Sequence, residues 1–267
     1  MKTRKKLLFV VAGLIFLFSI QSFAQDAPNE EFKPVYLVVT TAHWNASLDI
    51  DNSDWLATEK EFFEKVTMKN DLIIGSGFYT HYFTPDNSEI LFVSVYKNWN
   101  DIESASEVSA KLIEAAWPDK EKRAAFFEKQ RSYYGPIHSD EIYASIRFKK
   151  PVKSDSKEPL IYYVKKNKRG EGGDGFGEYF ENITMKNQYV KGYYTYRHNW
   201  GANSLDALEV FVFESFCDIE SSFKENAKLE EAYWPNEEER KAFFKEYSKI
   251  FSGHGDYIYQ NVPALAK

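Results

Sequence analysis

The chain has 267 residues, 43% of them hydrophobic and 17% aromatic, with one cysteine and a formal net charge of −6. Such a chain can bury a large hydrophobic core, and a single cysteine excludes an intrachain disulfide. The acidic balance is unfavourable for contact with phosphate backbones or anionic lipid, so nucleic acid and membrane-surface partners are not expected.

The first 24 residues have the pattern of a secretory signal peptide. Cations precede an apolar run from Leu7 to Ile20, and Ser22 and Ala24 stand at the −3 and −1 positions of a cleavage site. The apolar run would rise only about 21 Å as a helix, short of a hydrocarbon core of about 30 Å, so no stable membrane anchor is expected. Cleavage removes four cations and no acid, which takes the net charge from −6 to −10. We therefore expect an exported protein, in a periplasm or outside the cell, with a short N-terminal extension at residues 25–34.

The next part of the chain, residues 35–148, alternates between strand and helix periodicity. The pattern predicts a strand at 35–42, a helix at 55–68, strands at 77–83 and 90–96, helices at 101–116 and 120–132, and a strand at 141–148. A polar, proline-bounded stretch at 149–159 predicts a linker. A second unit at 160–262 and a tail at 263–267 complete the chain.

The second unit repeats the first. The motif VTMKN at 66–70 returns as ITMKN at 183–187, 117 positions later, and Trp117-Pro118 returns as Trp234-Pro235. This spacing predicts a tandem duplication. Each copy reads β-α-β-β-α-α-β, the split β-α-β order of a ferredoxin-like domain with one extra helix, so the predicted fold class is α+β.

The third strand of each copy has two different faces. Leu91, Val93 and Val95 alternate with Phe92, Ser94 and Tyr96. The second copy places Leu208, Val210 and Val212 opposite Glu209, Phe211 and Phe213, so the second face is aromatic mixed with polar. We expect the aliphatic faces to carry the helices and the aromatic faces of the two copies to close on each other.

This duplicated element order resembles the dimeric α/β-barrel superfamily, which includes antibiotic-biosynthesis-type monooxygenases, NIPSNAP-like proteins and chlorite-dismutase-like haem proteins. The resemblance implies that one chain forms a pseudo-dimeric barrel and is a monomer. It also implies that redox chemistry, with or without haem, is an alternative to simple ligand binding.

The predicted ligand site lies between the two copies. Alternation on the second strands puts tyrosines and histidines on one face, where they would line a central space together with the aromatic rings of the third strands. The alternative is ordinary sheet packing with the histidines in solvent. The predicted ligand-binding residues are Tyr79, His81, Phe92, Tyr96, Tyr194, Tyr196, His198, Phe211 and Phe213.

Four histidines are candidates for a catalytic base or an iron ligand. His81 and His198 lie on second strands, whereas His138 and His254 each precede an aspartate by two positions. An aspartate beside a histidine can orient it or raise its pKa, but the same pair can equally form a polar turn before the last strand. The catalytic residue therefore stays undetermined.

Other motifs predict no cofactor or metal site. The match to G-x-G-x-x-G at 170–175 has no parallel β-α-β unit after it, so it predicts a loop. The aspartates at 49, 51 and 54 lack the turn glycine of a calcium loop. Cys217 is expected to be packed and inert.

Three functions follow from these patterns. The first is an exported module that binds a small apolar or aromatic molecule between the copies. The second is a cofactor-free or haem-dependent oxidoreductase of the monooxygenase type. The third is a protein-interaction module whose central space is filled by its own side chains.

Overall fold

The computed structural model describes residues 32–48, 51–154 and 158–267. The predicted signal peptide and most of the N-terminal extension lie outside these residues. Within them, no helix combines the length and the apolar character that a bilayer crossing would need.

The first half of the described chain contains four strands and three α-helices. These are β1 (Tyr36–His43), α1 (Asn52–Lys65), β2 (Ile73–Phe83), β3 (Glu89–Tyr96), α2 (Asn100–Ala116), α3 (Lys120–Ser132) and β4 (Ser139–Lys150). A 3-10 turn, Thr67–Lys69, follows α1. The β-α-β-β-α-α-β order read from the sequence is therefore present in this half.

The second half has the same order with a shorter first helix. Its elements are β5 (Ile161–Arg169), α4 (Phe176–Tyr179) with a π-helical turn (Phe180–Thr184), β6 (Gly192–Trp200), β7 (Asp206–Phe213), α5 (Cys217–Tyr233), α6 (Glu237–Tyr247) and β8 (Phe251–Asn261). A 3-10 turn, Pro263–Leu265, follows β8.

All eight strands form one closed antiparallel barrel in the order β1-β3-β2-β8-β5-β7-β6-β4. Each half contributes four adjacent strands, and the halves meet along two seams, β2 with β8 and β4 with β6. Closure pairs every sheet edge, so neither half presents a free edge strand.

The two faces of the sheet point the opposite way from the sequence prediction, which put the aliphatic face of β3 and β7 against the helices. Leu37, Val93 and Val210 belong to one cluster drawn from strands of both halves, which places the aliphatic face inside the barrel. Phe92 packs toward α1, whereas Phe213 packs with Ile219 of α5. The prediction was wrong because alternation separates two faces without saying which one the helices cover. In β3 and β7 the aliphatic side chains point into the barrel, where they pack with side chains of the other half, and the large rings of these two strands fill the layer between sheet and helices.

Cys217 also departs from its prediction. It is exposed at the first position of α5 rather than packed.

Candidate functional site

A cavity of about 300 Å³ lies in the first half, between the outer face of the sheet and helices α1 and α3. Its walls combine five aromatic rings with five other polar side chains, one valine and one glycine. The lining residues are Glu59, Phe62, Phe63, Thr67, Ser76, Gly77, Phe78, Phe92, Val93, Ser94, Gln130 and Tyr134. This volume is at the lower end of the range for small-molecule sites, and the mostly apolar lining is typical of them.

Helix α1 brings the one acidic residue of the cavity to its wall. Asp51 caps the helix by accepting a hydrogen bond from the backbone amide of Ser53 at 2.7 Å. From this start, Trp55, Glu59 and Phe63 follow at intervals of four and lie on one buried face. A carboxyl group thus occupies a position where the helical pattern calls for an apolar side chain.

Glu59 is only 2% exposed, and both of its oxygens accept hydrogen bonds. The Tyr134 hydroxyl donates to Oε1 at 2.7 Å, and the Gln130 amide donates to Oε2 at 2.9 Å. Burial raises the pKa of Glu59, and the two hydrogen bonds oppose that shift in part. A buried carboxyl with a raised pKa can hold or accept a proton closer to neutral pH than an exposed one.

Tyr134 connects Glu59 to the tryptophans behind it. Its hydroxyl accepts a hydrogen bond of 2.8 Å from Trp55 Nε1, and its ring stacks on Trp44 with centroids 5.9 Å apart. Burial, with the nearby carboxyl of Glu59, raises the pKa of Tyr134 far above its ordinary value. Tyr134 therefore stays a neutral hydrogen-bond donor that orients Glu59.

The second half does not reproduce this polar arrangement. The positions 117 residues after Glu59, Gln130 and Tyr134 are occupied by Phe176, Tyr247 and Phe251. The ring of Phe176 lies 6.4 Å from that of Tyr247 and 6.0 Å from that of Phe251, measured between centroids. An aromatic cluster thus stands where the first half has a hydrogen-bonded carboxyl.

The second half has a buried carboxyl of its own, but on the sheet. Glu209 of β7 stands 117 positions after Phe92 and is buried. It accepts hydrogen bonds from the Tyr193 hydroxyl at 2.7 Å and from the Asn167 amide at 2.8 Å.

The structure divides the nine predicted ligand-binding residues between two faces. The strand registers place Tyr79, His81, Tyr194, Tyr196 and His198 on the interior face of the barrel. Phe92, Tyr96, Phe211 and Phe213 lie on the helix side, where only Phe92 lines the cavity. The predicted site is therefore not assembled as one pocket.

The interior residues do form a group. The rings of Tyr79 and Tyr162 are 4.7 Å apart between centroids, and burial raises the pKa of Tyr162 to about 12. By accessible surface both side chains are half-buried. The nearby Gly77 leaves room for the Tyr79 ring, because a Cβ there would come within 2.9 Å of its hydroxyl oxygen.

The four candidate histidines lie away from the cavity. His81 Nδ1 is hydrogen-bonded to the Thr84 hydroxyl at 2.8 Å. His198 sits edge-on to Tyr143, 6.5 Å between centroids, with a buried Nε2 that has no hydrogen-bond partner. His138 and His254 pair with Asp140 and Asp256 at 3.4 and 3.1 Å on exposed surface.

Haem, which the fold resemblance allows, is not suited to the cavity. No histidine, cysteine or methionine lines it, and the hydroxyl of Tyr134 is already committed to Glu59 and Trp55. Among the described residues, moreover, no three His, Cys, Asp or Glu side chains are grouped as metal ligands.

Sequence reasoning missed the three cavity residues that are joined by side-chain hydrogen bonds, Glu59, Gln130 and Tyr134. One signal was present in α1, where Glu59 interrupts the apolar face between Trp55 and Phe63. Gln130 and Tyr134 gave no such signal, because their roles depend on how α3 packs against α1.

The barrel is similar to solved structures of low sequence identity. A candidate monooxygenase from Fusobacterium nucleatum aligns with a TM-score of 0.54 and 10% identity over 86% of this chain and 94% of its own. A candidate monooxygenase from Lactobacillus acidophilus gives a TM-score of 0.50 and 6% identity over 86% and 93%. Chlorite dismutase from Candidatus Nitrospira defluvii gives 0.50 and 14% over 86% and 92%.

These similarities show a fold of the dimeric α/β-barrel type and nothing finer, since the identities are so low. No family model and no curated protein matches the sequence.

Proposed function

We propose that the protein binds a small aromatic molecule in the cavity between α1, α3 and the first-half sheet, with Glu59 accepting a hydrogen bond from a hydroxyl group of that molecule. The observation that carries the proposal is a buried carboxyl in a wall of aromatic rings. Each carboxylate oxygen has two lone pairs, so Glu59 can accept another hydrogen bond while it keeps those from Tyr134 and Gln130.

The test compares two probes of nearly equal shape, 2-naphthol and naphthalene, by fluorescence titration. Wild type should bind 2-naphthol more tightly, since only that probe donates to Glu59. Glu59→Gln should weaken 2-naphthol about tenfold, the effect of exchanging a charged acceptor for a neutral one, and should leave naphthalene nearly unchanged. Equal losses for both probes, or no binding of either, would refute the proposal.

A second candidate function is oxidation of such a molecule without a bound cofactor. The raised pKa of Glu59 favours it, because a poised carboxylate can remove the phenolic proton. A hydroquinone would lose two protons and two electrons to dioxygen, giving a quinone and hydrogen peroxide. The names of the fold neighbours support this class but do not extend to this chain.

An oxygen electrode tests this second function. Oxygen uptake with a naphthohydroquinone, corrected for autoxidation, should fall about 100-fold or more in Glu59→Gln, as for loss of a general base. Uptake no faster than autoxidation in wild type would leave binding as the function.

We also propose that the chain is a tandem duplication, that it is monomeric and that it is exported. The repeated motifs and the two similar halves support a tandem-duplicated, monomeric pseudo-dimer, and the pattern of residues 1–24 supports export. N-terminal sequencing of secreted protein should begin at Gln25, and light scattering should give the mass of one chain.

A further inference from the structure

The residues after β8 leave the second half and pack on the first. We call residues 262–267 the C-terminal strap. The backbone amide of Val262 donates to the carbonyl of Phe78 at 2.9 Å, and Ser76 and Lys267 exchange two backbone hydrogen bonds of 2.9 and 3.3 Å. Leu265 is fully buried in the same cluster as Trp55 and Phe63.

The side chain of Lys267 ends on the turn that follows α1. Its Nζ donates to the backbone carbonyls of Thr67 and Asn70 at 3.0 and 2.8 Å, with Met68 at 3.4 Å. The carbonyls of Thr67 and Asn70 each accept one backbone hydrogen bond within this turn, at 3.3 and 3.1 Å, and a carbonyl oxygen has a second lone pair for another donor. An ammonium group with three donors therefore suits this position.

We call this contact of Lys267 with the turn the Lys267 clamp. A matching clamp runs in the opposite direction, from a lysine of the first half to a turn of the second half. Lys150, at the end of β4, donates through Nζ to the carbonyls of Met185 and Asn187 at 3.1 and 2.9 Å. The two lysines thus cap the two copies of the TMKN motif, each lysine coming from the opposite half.

Only the Lys267 clamp borders the cavity. The strap is hydrogen-bonded to three residues of the cavity wall, Thr67, Ser76 and Phe78, and its Leu265 belongs to the same core cluster as a fourth, Phe63. We propose that the strap fixes this wall and that Lys267 is a positioning residue for the ligand, so that the second half of the chain controls binding in the first. This inference rests on the proposed function, because it assigns a control element to the same cavity.

The experiment compares Lys267→Ala with Lys150→Ala in the full mature chain. Both variants lose charge-assisted hydrogen bonds to the turn that follows a helix, so both should melt at lower temperature. Only Lys267→Ala should weaken 2-naphthol binding, about five- to tenfold, because only its clamp holds the cavity wall. Lys267→Arg, which keeps a cation with several donors, should recover most of the affinity.

Hydrogen exchange supplies a readout that needs no ligand. Lys267→Ala should speed amide exchange at residues 66–78 and leave 183–192 unchanged, whereas Lys150→Ala should do the reverse. If wild type fails to bind 2-naphthol while this exchange pattern appears, the proposed ligand is wrong, but the strap still fixes the wall of the cavity. Unchanged exchange at residues 66–78 in Lys267→Ala would refute the proposal that the strap fixes this wall. An equal loss of affinity in both alanine variants would refute it as well.

Discussion

At the residue scale, the central feature is a carboxyl group on the buried face of a helix. Glu59 is held by two hydrogen bonds, yet burial still raises its pKa above the ordinary value of 4.5. A group of this kind reduces stability whenever it must be ionised in the folded state. A buried carboxyl with a raised pKa in the wall of a cavity is a candidate functional group.

The raised pKa gives Glu59→Gln a predictable pH dependence of stability. Between pH 4.5 and the higher folded-state pKa, the folded protein binds more protons at this residue than the unfolded chain does. The free energy of unfolding contributed by Glu59 therefore falls as pH rises through this window and is constant above it. Relative to wild type, Glu59→Gln should gain stability from pH 4 to pH 8, as measured by urea unfolding. Parallel pH profiles for the two proteins would contradict the prediction.

At the element scale, the structure explains why the TMKN motif occurs twice. Asn70 and Asn187 are each fully buried, and their side chains join the turn after the first helix of each half to the next long helix. Asn70 donates to the carbonyl of Ala105 at 2.8 Å, and Asn187 donates to that of Ser222 at 2.9 Å. The repeat was visible in the sequence, but the clamps that cap it were not, because each lysine lies far along the chain from its carbonyls.

Asn187→Ala should therefore destabilise the protein substantially. The change leaves the amide of Tyr189 without its acceptor and the side-chain oxygen of Asn226 without its donor, at about 1–3 kcal/mol for each unsatisfied group. The neighbouring exposed Lys186→Ala is the control and should stay within about 0.5 kcal/mol of wild type. Similar denaturation midpoints for the two variants would show that the asparagine is not the anchor of the turn.

The loop before α4 allows a comparison of two glycines. Gly172 and Gly175 have φ of 138° and 92°, but only Gly175 is crowded, since a Cβ there would lie 2.5 Å from the Phe243 ring. Gly172→Ala should cost about 1–3 kcal/mol for backbone strain alone. Gly175→Ala should cost more, because Phe243 must also move. Thermal melts of the two variants decide the order, and a smaller loss for Gly175→Ala would contradict it.

At the scale of the whole molecule, the sequence indicated the elements and their order but not the orientation of the sheet. Hydrophobic alternation in β3 and β7 separates aliphatic from aromatic faces with equal clarity in either orientation. The choice is made by barrel closure through the β2–β8 and β4–β6 seams, which depends on contacts between residues far apart in the chain. For the same reason the cavity lies beside the helices rather than between the halves, and its polar residues could not be located from spacing.

Closure also predicts that the two halves unfold together. Leu37 of β1 packs inside the barrel in the same cluster as Leu208 of β7, so Leu37→Ala opens a cavity shared by both halves and should cost about 2–5 kcal/mol. Because the strands form one barrel, slow amide exchange at Val95 and at Val212 should accelerate by the same factor. Loss of protection at Val95 alone, or a biphasic urea transition, would show that the halves are separate folding units. The helix-surface change Lys111→Ala is the control, since it leaves the barrel interior intact and should alter neither rate.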